Sequence, residues 1–498
     1  MELAGMRAAG CRGTERTAAQ TDCRSGVADV QNPLWTLAQV LLATGGRFVS
    51  GPGQAVFRRV CTDSRTVEAG DLFVALRGEK HDGHDFLEDV VKRGVAGLVV
   101  ERPPEEPGTA AVVLVPDTLV ALGDLAAYRR SLMSGLQVLA MTGSSGKTTV
   151  KEMTAAILER NYRIIKTRGN YNNLVGLPLS LLPVEYHHDF AVLEMGMNQP
   201  GEIARLTEIA DPDIACITNV QAAHLAGLKD ISGVARAKGE LFAGLKAWGR
   251  LVVNLDDRRV RALARRCSQE KITFGRRPGA DVRGLRLRSL GEEGMSFTLQ
   301  IGGESARVRI RGLGAHNVQN ALAAAAMAHA AGLRFKDIVA GLESFQPFEK
   351  RLQVQKLTNG VRLINDAYNA NPSSMLAALE TVQRMDRRQR KAAVLGDMLE
   401  LGPGSAQAHR ELGGSVARLG FDYLLAVGDF APDQVAGARA AGMAADRALC
   451  FADKGAMAQW LRKSMEAGLL AQGDWILLKG SRGMRMETMV QELTGKQG

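Results

Sequence analysis

The segment 138–153 combines an apolar run, a glycine-bounded turn and the pattern of a helix start, which is the order that a triphosphate site needs. Glycines let backbone N–H groups point at phosphate oxygens, Lys147 adds a mobile positive charge, and the Thr148 hydroxyl is a suitable ligand for Mg²⁺. The loop is a variant of the usual phosphate-binding template, because Met141 stands where that template has its first glycine. A nucleoside triphosphate is therefore predicted to bind Gly143, Ser144, Ser145, Gly146, Lys147, Thr148 and Thr149.

Polar side chains beyond the loop extend this predicted site. Glu194 ends the apolar run 190–194, where a carboxylate is placed to hold Mg²⁺ opposite Thr148, although a glutamate at a strand end is ordinarily just solvated. Asn317 and Asn320 stand three apart on one predicted helix face, so both amides can reach one ligand. Asn317 alone is equally well explained as a residue near a helix cap.

The elements that must position these residues alternate between strands and helices. Strands are predicted at 71–76 and 96–100, then at 137–141, 163–167, 190–194, 214–218 and 251–254, and finally at 361–365, 392–395, 423–427 and 475–478. Helices are predicted at 34–42, 148–160, 201–210, 234–246 and 317–331, and from Ser373, Ser405, Pro432, Ala456 and Met484. Such alternation predicts mostly parallel sheets with ligands at the carboxyl ends of the strands.

The length of 498 residues is enough for about three domains of ~150 residues each. We predict a disordered extension, or a start codon assigned too early, at 1–32, and α/β domains at 33–134, 135–347 and 348–498. The central one is a P-loop ATPase domain and the last is Rossmann-like. The last block lacks the G-x-G-x-x-G signature, which argues against a dehydrogenase.

Composition narrows the class of protein further. Hydrophobic residues make up 46% and charged residues 23%, as in ordinary globular proteins. The net charge of +10 suits phosphate-rich ligands, but a generally basic surface would look the same. Aromatic residues are sparse at 5%, and no basic segment is interleaved with them, so we expect no nucleic-acid partner.

Cysteine usage and hydropathy indicate the compartment. The six cysteines form no C-x-x-C pair, so neither a disulfide framework nor a thiolate zinc site is indicated. No apolar run approaches the ~18 residues of a membrane span, so we expect no membrane insertion. A cytoplasmic protein is predicted.

Nine motif groups occur in the order in which the Mur ligases carry them. They are T-D-S-R at 62–65 with G-D-L-F-V-A at 70–75 and D-G-H-D-F at 82–86, the loop at 143–149, G-N-Y-N-N at 169–173, L-E-M-G at 193–196, His224, A-K-G-E at 237–240, H-N-V-Q-N at 316–320, D-A-Y-N-A-N-P at 366–372 and K-G-S-R-G-M-R-M-E at 479–487. From about residue 34 to 493 the chain therefore resembles the Mur ligase family, ATP-dependent amide-forming enzymes of peptidoglycan precursor synthesis.

The resemblance implies a two-step reaction. A substrate carboxylate attacks the γ-phosphorus of ATP to give an acyl phosphate and ADP, and an amine then displaces phosphate. Positioning and electrostatics supply most of the catalysis in phosphoryl transfer, so cations and backbone donors must surround the transferring group. The implied cofactors are ATP and two Mg²⁺ ions.

The resemblance also implies roles that the residues alone do not indicate. His224 corresponds to a ligand of the second Mg²⁺, although a lone loop histidine is usually just exposed. Lys238 corresponds to a lysine that CO₂ carbamylates, which turns a cation into a metal-binding carboxylate. That reaction needs a neutral amine and hence a lowered pKa, whereas an ordinary lysine lies on the surface. Lys147, Lys238 and His224 are thus the implied catalytic residues.

Further positions of the family pattern are assigned to substrates. Asn317 and Asn320 match residues on the adenine side, Arg351 a phosphate contact and Asp366 a contact to ribose or phosphate groups. The uridine nucleotide is assigned to Ser64, Arg65, Asp82 and His84. The incoming amine is assigned to Asn369, Asn371, Lys479 and Ser481, although N-capping followed by a first-turn proline also explains Asn371.

Within the family, the sequence most resembles the branch that joins D-alanyl-D-alanine to UDP-N-acetylmuramoyl-tripeptide, and we expect a monomer. Whether the third peptide residue is meso-diaminopimelate or lysine stays open. The branch that adds a single amino acid carries D-N-P-R where N-A-N-P stands here. Folylpolyglutamate synthetases lack the D-S-R first block, and a regulatory P-loop NTPase would leave the third block and Lys238 unexplained.

Overall fold

The computed structural model describes residues 34–78, 80–222, 225–347, 352–386 and 388–494. The extension predicted at 1–32, together with His224 and Arg351, lies outside these residues. The described chain is a three-domain α/β protein in which three successive stretches each contribute one main sheet. The domain boundaries given above stay predictions. No helix in the described part of the chain has the length and apolarity that a bilayer crossing requires.

The first stretch forms a five-stranded sheet in the order β2-β7-β6-β5-β4, parallel except for β2, and a separate pairing of β1 with β3. The helix predicted at 34–42 begins at Leu37, because the side chain of Thr36 caps it by accepting the N–H of Gln39. The elements are β1 (Trp35–Thr36), α1 (Leu37–Thr44), β2 (Arg47–Ser50), β3 (Val56–Phe57), β4 (Val60–Cys61), β5 (Leu72–Val74), α2 (Leu87–Lys92), β6 (Gly97–Val100), β7 (Ala111–Leu114) and α3 (Thr118–Ser131).

The second stretch forms a nine-stranded sheet in the order β16-β15-β14-β13-β12-β11-β8-β10-β9. The strands from β14 to β9 in this order run parallel, and β14, β15 and β16 pair antiparallel. The elements are β8 (Gln137–Thr142), α4 (Lys147–Leu158), β9 (Ile164–Lys166), α5 (Gly176–Leu181), β10 (Phe190–Glu194), α6 (Glu202–Ala210), β11 (Ile214–Ile217), α7 (Leu225–Leu228), α8 (Ile231–Ala243), β12 (Arg250–Asn254), α9 (Arg258–Ala264), β13 (Glu270–Gly275), β14 (Val282–Ser289), β15 (Met295–Ile301), β16 (Glu304–Ile310), α10 (Ala315–Ala330) and α11 (Phe335–Ser344).

The third stretch forms a six-stranded sheet in the order β17-β18-β22-β19-β20-β21, parallel except for β17. The helix predicted from Met484 begins at Glu487, because Arg485 takes the left-handed conformation with φ of 50°. The elements are β17 (Gln353–Lys356), β18 (Arg362–Asp366), α12 (Pro372–Gln383), β19 (Lys391–Leu395), α13 (Ser405–Arg418), β20 (Tyr423–Val427), α14 (Ala431–Ala440), β21 (Ala448–Phe451), α15 (Lys454–Glu466), β22 (Trp475–Lys479) and α16 (Glu487–Thr494).

The alanine-rich helix α10 packs in the core of the central domain. Its alanines 323–326 are buried, and it lies against α4 and the central sheet. Small side chains let α10 approach these neighbours closely, which brings Asn320, near its start, up to Gly146 of the glycine loop that precedes α4, with Asn317 hydrogen-bonded to Asn320. The packing of α10 therefore fixes where the Asn317 and Asn320 side chains lie relative to α4 and the central sheet.

Candidate active site

A cleft of about 810 Å³ lies where the carboxyl ends of the central strands meet those of the C-terminal sheet. Parallel sheets place ligands at this edge, because the crossover helices begin there. Both domains line the cleft with sequence-predicted residues, among them Lys147, Thr148, Glu194, Asn320, Asp366 and Lys479.

The glycine loop between β8 and α4 has the close approaches that its sequence predicts. Gly146 takes φ of +81°, and a Cβ there would stand 2.3 Å from Oδ1 of Asn320. A Cβ on Gly143 would stand 1.8 Å from Oγ1 of Thr218. Larger residues at either position would push the loop away from its neighbours, so the two glycines keep the backbone tight at the start of α4.

The turn after β11 braces this loop, a feature that sequence reasoning missed. Asn219 accepts the N–H of Ser145 through Oδ1 over 3.0 Å, and Thr218 donates to the Ser145 carbonyl over 2.7 Å. Gln221 and Ser144 exchange hydrogen bonds of 2.8 and 2.9 Å. The sequence feature that could have indicated these contacts is the position of the residues directly after the buried strand β11, at the carboxyl edge of the sheet.

Lys147 is the first residue of α4, and its ammonium folds back over the loop to donate to the Gly143 carbonyl over 2.9 Å. The loop amides and the Lys147 ammonium therefore lie together at the amino end of α4. Helix N-termini with free N–H groups bind anions, and an added lysine reaches phosphate oxygens. This geometry fits the phosphate cradle that the sequence predicts, and phosphate binding by these residues stays a prediction.

Thr148 and Glu194 meet beside the loop. The Thr148 hydroxyl donates to Oε2 of Glu194 over 2.8 Å, and the Asn172 amide donates to Oε1 over 2.8 Å. Hydroxyl and carboxylate oxygens suit Mg²⁺, which binds through one or two carboxylates together with phosphate and water. No cluster of three or more His, Cys, Asp or Glu is found among the described residues. The pair fits a magnesium ion completed by a nucleotide, and its ligand role stays a prediction.

Lys238 on α8 is buried, with 1% of its surface exposed. Its ammonium donates to the sulfur of Met197 over 3.5 Å, and among the described residues no carboxylate lies within ion-pair distance of it. Burial, helped by the positive charge of Lys147, lowers the pKa of Lys238 well below the ordinary value for lysine. This burial contradicts the alternative of an ordinary surface lysine. The carbamate on Lys238 stays a prediction.

Asn317 and Asn320 lie together at the start of α10 and line the cleft, as predicted. Asn320 donates to Oδ1 of Asn317 over 3.0 Å, and Asn317 donates to the Leu313 carbonyl over 2.8 Å. Their neighbour His316 also lines the cleft, and burial lowers its pKa to about 4, with Asp366 opposing and Lys479 reinforcing the shift.

The C-terminal face of the cleft centres on an ion pair between neighbouring strands. Lys479, at the end of β22, donates to Oδ2 of Asp366, at the end of β18, over 2.6 Å and to the Asn369 carbonyl over 2.8 Å. Ser481 donates to the Ala370 carbonyl over 3.3 Å, which joins the two loops. The predicted residues Asp366, Asn369, Lys479 and Ser481 therefore form one cluster.

Asn371 connects the two domains. Its Oδ1 caps α12 by accepting the N–H of Ser374 over 2.9 Å, and Pro372 is the first residue of that helix. Its Nδ2 also donates to the carbonyl of Ser144 in the phosphate loop over 3.4 Å. The capping explanation and the site explanation are therefore compatible.

The four candidates in the N-terminal domain lie apart from the cleft, and none of them lines it. His84 bonds Asp82 over 2.7 Å and accepts the N–H of Glu101 over 2.9 Å, so its ring is engaged within the domain. Arg65 is exposed and pairs with Asp63, whose pKa it lowers to about 2. Uridine binding by Arg65, Asp82, His84 and the half-buried Ser64 stays a prediction. The roles of His224 and Arg351, which lie outside the described residues, also stay predictions.

Three family models match the chain in succession. The Mur ligase family catalytic domain matches residues 56–130, the Mur ligase middle domain 141–328, and the Mur ligase glutamate ligase domain 350–482. The cradle, the Thr148–Glu194 pair and Lys238 all lie within the middle-domain match.

The chain is also similar to individual proteins over most of their length. The UDP-N-acetylmuramoyl-tripeptide–D-alanyl-D-alanine ligase of Bacillus subtilis (strain 168) is 39% identical over 442 residues, which cover 88% of this chain and 94% of that protein. A crystal structure of MurF from Acinetobacter baumannii superposes with a TM-score of 0.86 at 38% identity, covering 94% and 100% of the two chains. The MurF ligase of Thermotoga maritima, solved in complex with ADP, gives a TM-score of 0.78 at 28% identity, covering 88% and 97%. On these matches, the chain belongs to the Mur ligase family.

Proposed function

We propose that the protein is the ATP-dependent ligase that joins D-alanyl-D-alanine to UDP-N-acetylmuramoyl-tripeptide through an acyl-phosphate intermediate. Its support is the match over 94% of a relative that bears this activity in its name. The observation that carries the mechanism is the single cleft in which the phosphate cradle of the central domain faces the Asp366–Lys479 cluster of the C-terminal domain.

The cradle residues have distinct tasks in this proposal. The loop amides and Lys147 hold the β- and γ-phosphates of ATP and neutralise the charge that develops as the γ-phosphoryl group transfers. Thr148 and Glu194 hold the magnesium ion, with Asn172 fixing the carboxylate. When bound, that ion lowers the repulsion between the two anions, the substrate carboxylate and the triphosphate. Asn317 and Asn320 receive the adenine side of the nucleotide.

Lys238 is proposed to carry a carbamate and to contribute to a second magnesium site with His224. A buried ammonium without an anionic partner is costly, so the neutral amine is favoured there. A neutral amine is the form that adds CO₂, and the addition releases one proton. The resulting anion would lie near the positive charge of Lys147, which supports the proposal on electrostatic grounds.

The C-terminal face is proposed to receive the dipeptide through Asn369, Asn371, Lys479 and Ser481, with Asp366 and Arg351 contacting ATP. Asn371 already contacts the phosphate loop, so a group bound beside it would lie next to the acyl phosphate. Enclosure between two domains excludes water, which matters because acyl phosphates hydrolyse. The N-terminal domain is proposed to bind the uridine nucleotide through Ser64, Arg65, Asp82 and His84.

A reducing compartment suits the described cysteines, which are free at Cys61, Cys216, Cys267 and Cys450. We therefore keep a cytoplasmic enzyme as part of the proposal, and a monomer as an expectation.

An amide-formation assay tests the proposal. The protein is incubated with ATP, Mg²⁺ and UDP-N-acetylmuramoyl-tripeptide carrying either lysine or meso-diaminopimelate, together with D-alanyl-D-alanine, other D-dipeptides or single amino acids. We expect ADP release to require both the UDP-linked peptide and D-alanyl-D-alanine. Efficient use of a single amino acid, with the dipeptide ignored, would place the protein in another branch of the family. ATP turnover without either substrate would indicate a regulatory NTPase.

A further inference from the structure

Another buried lysine, Lys151, lies one helical turn beyond the phosphate loop. Lys151 on α4 has no exposed surface, and its ammonium donates to the carbonyl of Thr167 over 2.7 Å. It also pairs with Glu152 over 2.9 Å. Lys151 does not line the cleft, so it is not placed to contact a nucleotide there. A buried cation that makes such a bond to a loop carbonyl fixes one element against another.

Thr167 connects this lysine to the predicted magnesium ligand. Its Oγ1 accepts the backbone N–H of Glu194 over 2.9 Å, and its own N–H donates to the Val192 carbonyl over 3.1 Å. Both contacts hold the end of β10, where the Glu194 carboxylate leaves the sheet. Thr167 is thus bonded on one side to Lys151 and on the other to the strand that carries Glu194.

Lys151 and Thr148 stand three residues apart on α4, on one face of the helix. Thr148 reaches Glu194 directly, and Lys151 reaches it through Thr167, so two parallel connections join α4 to the end of β10. The direct connection must change its hydrogen bond when a metal ion binds, because both oxygens become ligands. The connection through Lys151 involves no metal ligand side chain and can persist.

We propose that Lys151 is a positioning residue that, through Thr167, sets the separation of Thr148 and Glu194 and thereby the affinity for magnesium-ATP. This role rests on the proposed function. It predicts that Lys151 affects the magnesium dependence of nucleotide binding, beyond any effect on the stability of the fold. Outer partners of metal ligands typically change metal affinity about 10- to 100-fold.

The chain offers a matched control for the charge of Lys151. The Lys166 ammonium pairs with the same Glu152 over 3.0 Å and with Glu159 over 3.0 Å. Among the described residues it donates no hydrogen bond to the Thr167 carbonyl. Removing either lysine weakens the ion pairs around Glu152. Only the loss of Lys151 also removes the donor to the Thr167 carbonyl.

The experiment measures ATP binding to the full-length protein by isothermal titration calorimetry over a series of Mg²⁺ concentrations, for the wild type, Lys151→Met and Lys166→Met. We expect Lys151→Met to raise the Mg²⁺ concentration at half-maximal ATP affinity about tenfold or more, and Lys166→Met to change it less than about twofold. Thermal unfolding of each variant separates this effect from lost stability. Thr167→Val, which removes the Glu194 N–H acceptor and leaves the Thr167 carbonyl in place, should act in the same direction and serves if Lys151→Met does not fold.

The outcomes are distinguishable. A Lys151→Met protein that melts earlier but keeps the wild-type Mg²⁺ midpoint overturns the positioning role and leaves the proposed function intact. Equal shifts for Lys151→Met and Lys166→Met also overturn it, because they would trace the effect to Glu152. A wild-type protein that binds no magnesium-ATP defeats the proposed function, and the role of Lys151 with it.

Discussion

The Thr148 hydroxyl and the Glu194 carboxylate stand 2.8 Å apart, oxygen to oxygen. Octahedral Mg²⁺ with ligands at ~2.0–2.1 Å places adjacent ligand oxygens roughly 2.9 Å from each other. The two oxygens therefore already have the spacing of neighbouring positions around one magnesium ion. If the pair binds magnesium as proposed, the hydroxyl hydrogen would have to turn away, and neither side chain would need to move far.

This preorganisation predicts the effect of Thr148→Val, which keeps the shape of the side chain and removes its oxygen. We expect ATP turnover to fall by about 100-fold or more, because the proposed magnesium ligand is lost. The control is Thr154→Val on the same helix, since the buried Thr154 hydroxyl has no hydrogen-bond partner in the part of the chain that the structure describes. Steady-state ADP release measures both, and near-normal turnover by Thr148→Val would contradict the magnesium role.

Asn371 allows the cap of α12 to be separated from the contact between domains. Asn371→Asp keeps an oxygen for the Ser374 N–H but loses the donor to the Ser144 carbonyl. We expect its thermal stability to stay near that of the wild type and its ligase activity to fall about tenfold, because an anion would face a carbonyl beside the phosphate loop. Asn371→Ala should also lose ~1 kcal/mol of stability with the cap. Unchanged activity in Asn371→Asp would remove this residue from the site.

Substitutions of Lys238 test the proposed carbamate. Lys238→Ala should lose most activity, and acetate or formate should partly restore it by supplying carboxylate oxygens. Lys238→Arg should stay inactive, because a guanidinium remains protonated and cannot take up CO₂ in this way. Ligase assays with and without added carboxylate at fixed ionic strength measure this. An active Lys238→Arg enzyme, with acids useless on Lys238→Ala, would show a role for positive charge alone.

His316 predicts a pH dependence of stability. Its pKa falls from the ordinary value of 6.5 to about 4 in the folded protein, chiefly through burial. Above pH 6.5 the imidazole is neutral in both states; between 6.5 and 4 the unfolded chain takes up a proton that the folded chain does not. The free energy of unfolding should therefore decrease as the pH falls through this range, and His316→Gln should reduce that decrease. Urea unfolding midpoints from pH 7.5 to 5 compare the two proteins, and identical slopes would contradict the shift.

The sequence predicted the parts of the fold that repeat a simple pattern. The apolar runs of the central domain became β8 to β12 within two residues of their predicted ends, because buried parallel strands are continuous apolar stretches. The strands β14 to β16 were not predicted, since β14 and β16 alternate buried and exposed residues and carry many charges. The local geometry of the candidate site was predictable where one motif contains it, as in the glycine loop between β8 and α4.

The remaining features of the site depend on contacts between distant residues. Asn219 supports Ser145 from 74 residues away, and Lys479 reaches Asp366 across 113 residues. Lys238 belongs to an unremarkable helical pattern, and only the packing of α8 buries its amine with no carboxylate partner among the described residues. Local pattern carries no information about such pairings, because they arise from the order of strands in the folded sheet.

Isotope transfer tests the central claim most directly. UDP-N-acetylmuramoyl-tripeptide labelled with ¹⁸O in the reacting carboxylate is converted with ATP and D-alanyl-D-alanine, and the released phosphate is analysed by mass spectrometry. An acyl phosphate forms through a carboxylate oxygen, which leaves with the phosphate when the amine attacks the carbonyl carbon. We predict one ¹⁸O atom in each phosphate released and an amide bond to D-alanyl-D-alanine in the product. Phosphate free of ¹⁸O, or labelled phosphate released without D-alanyl-D-alanine entering the product, would contradict the ligase mechanism.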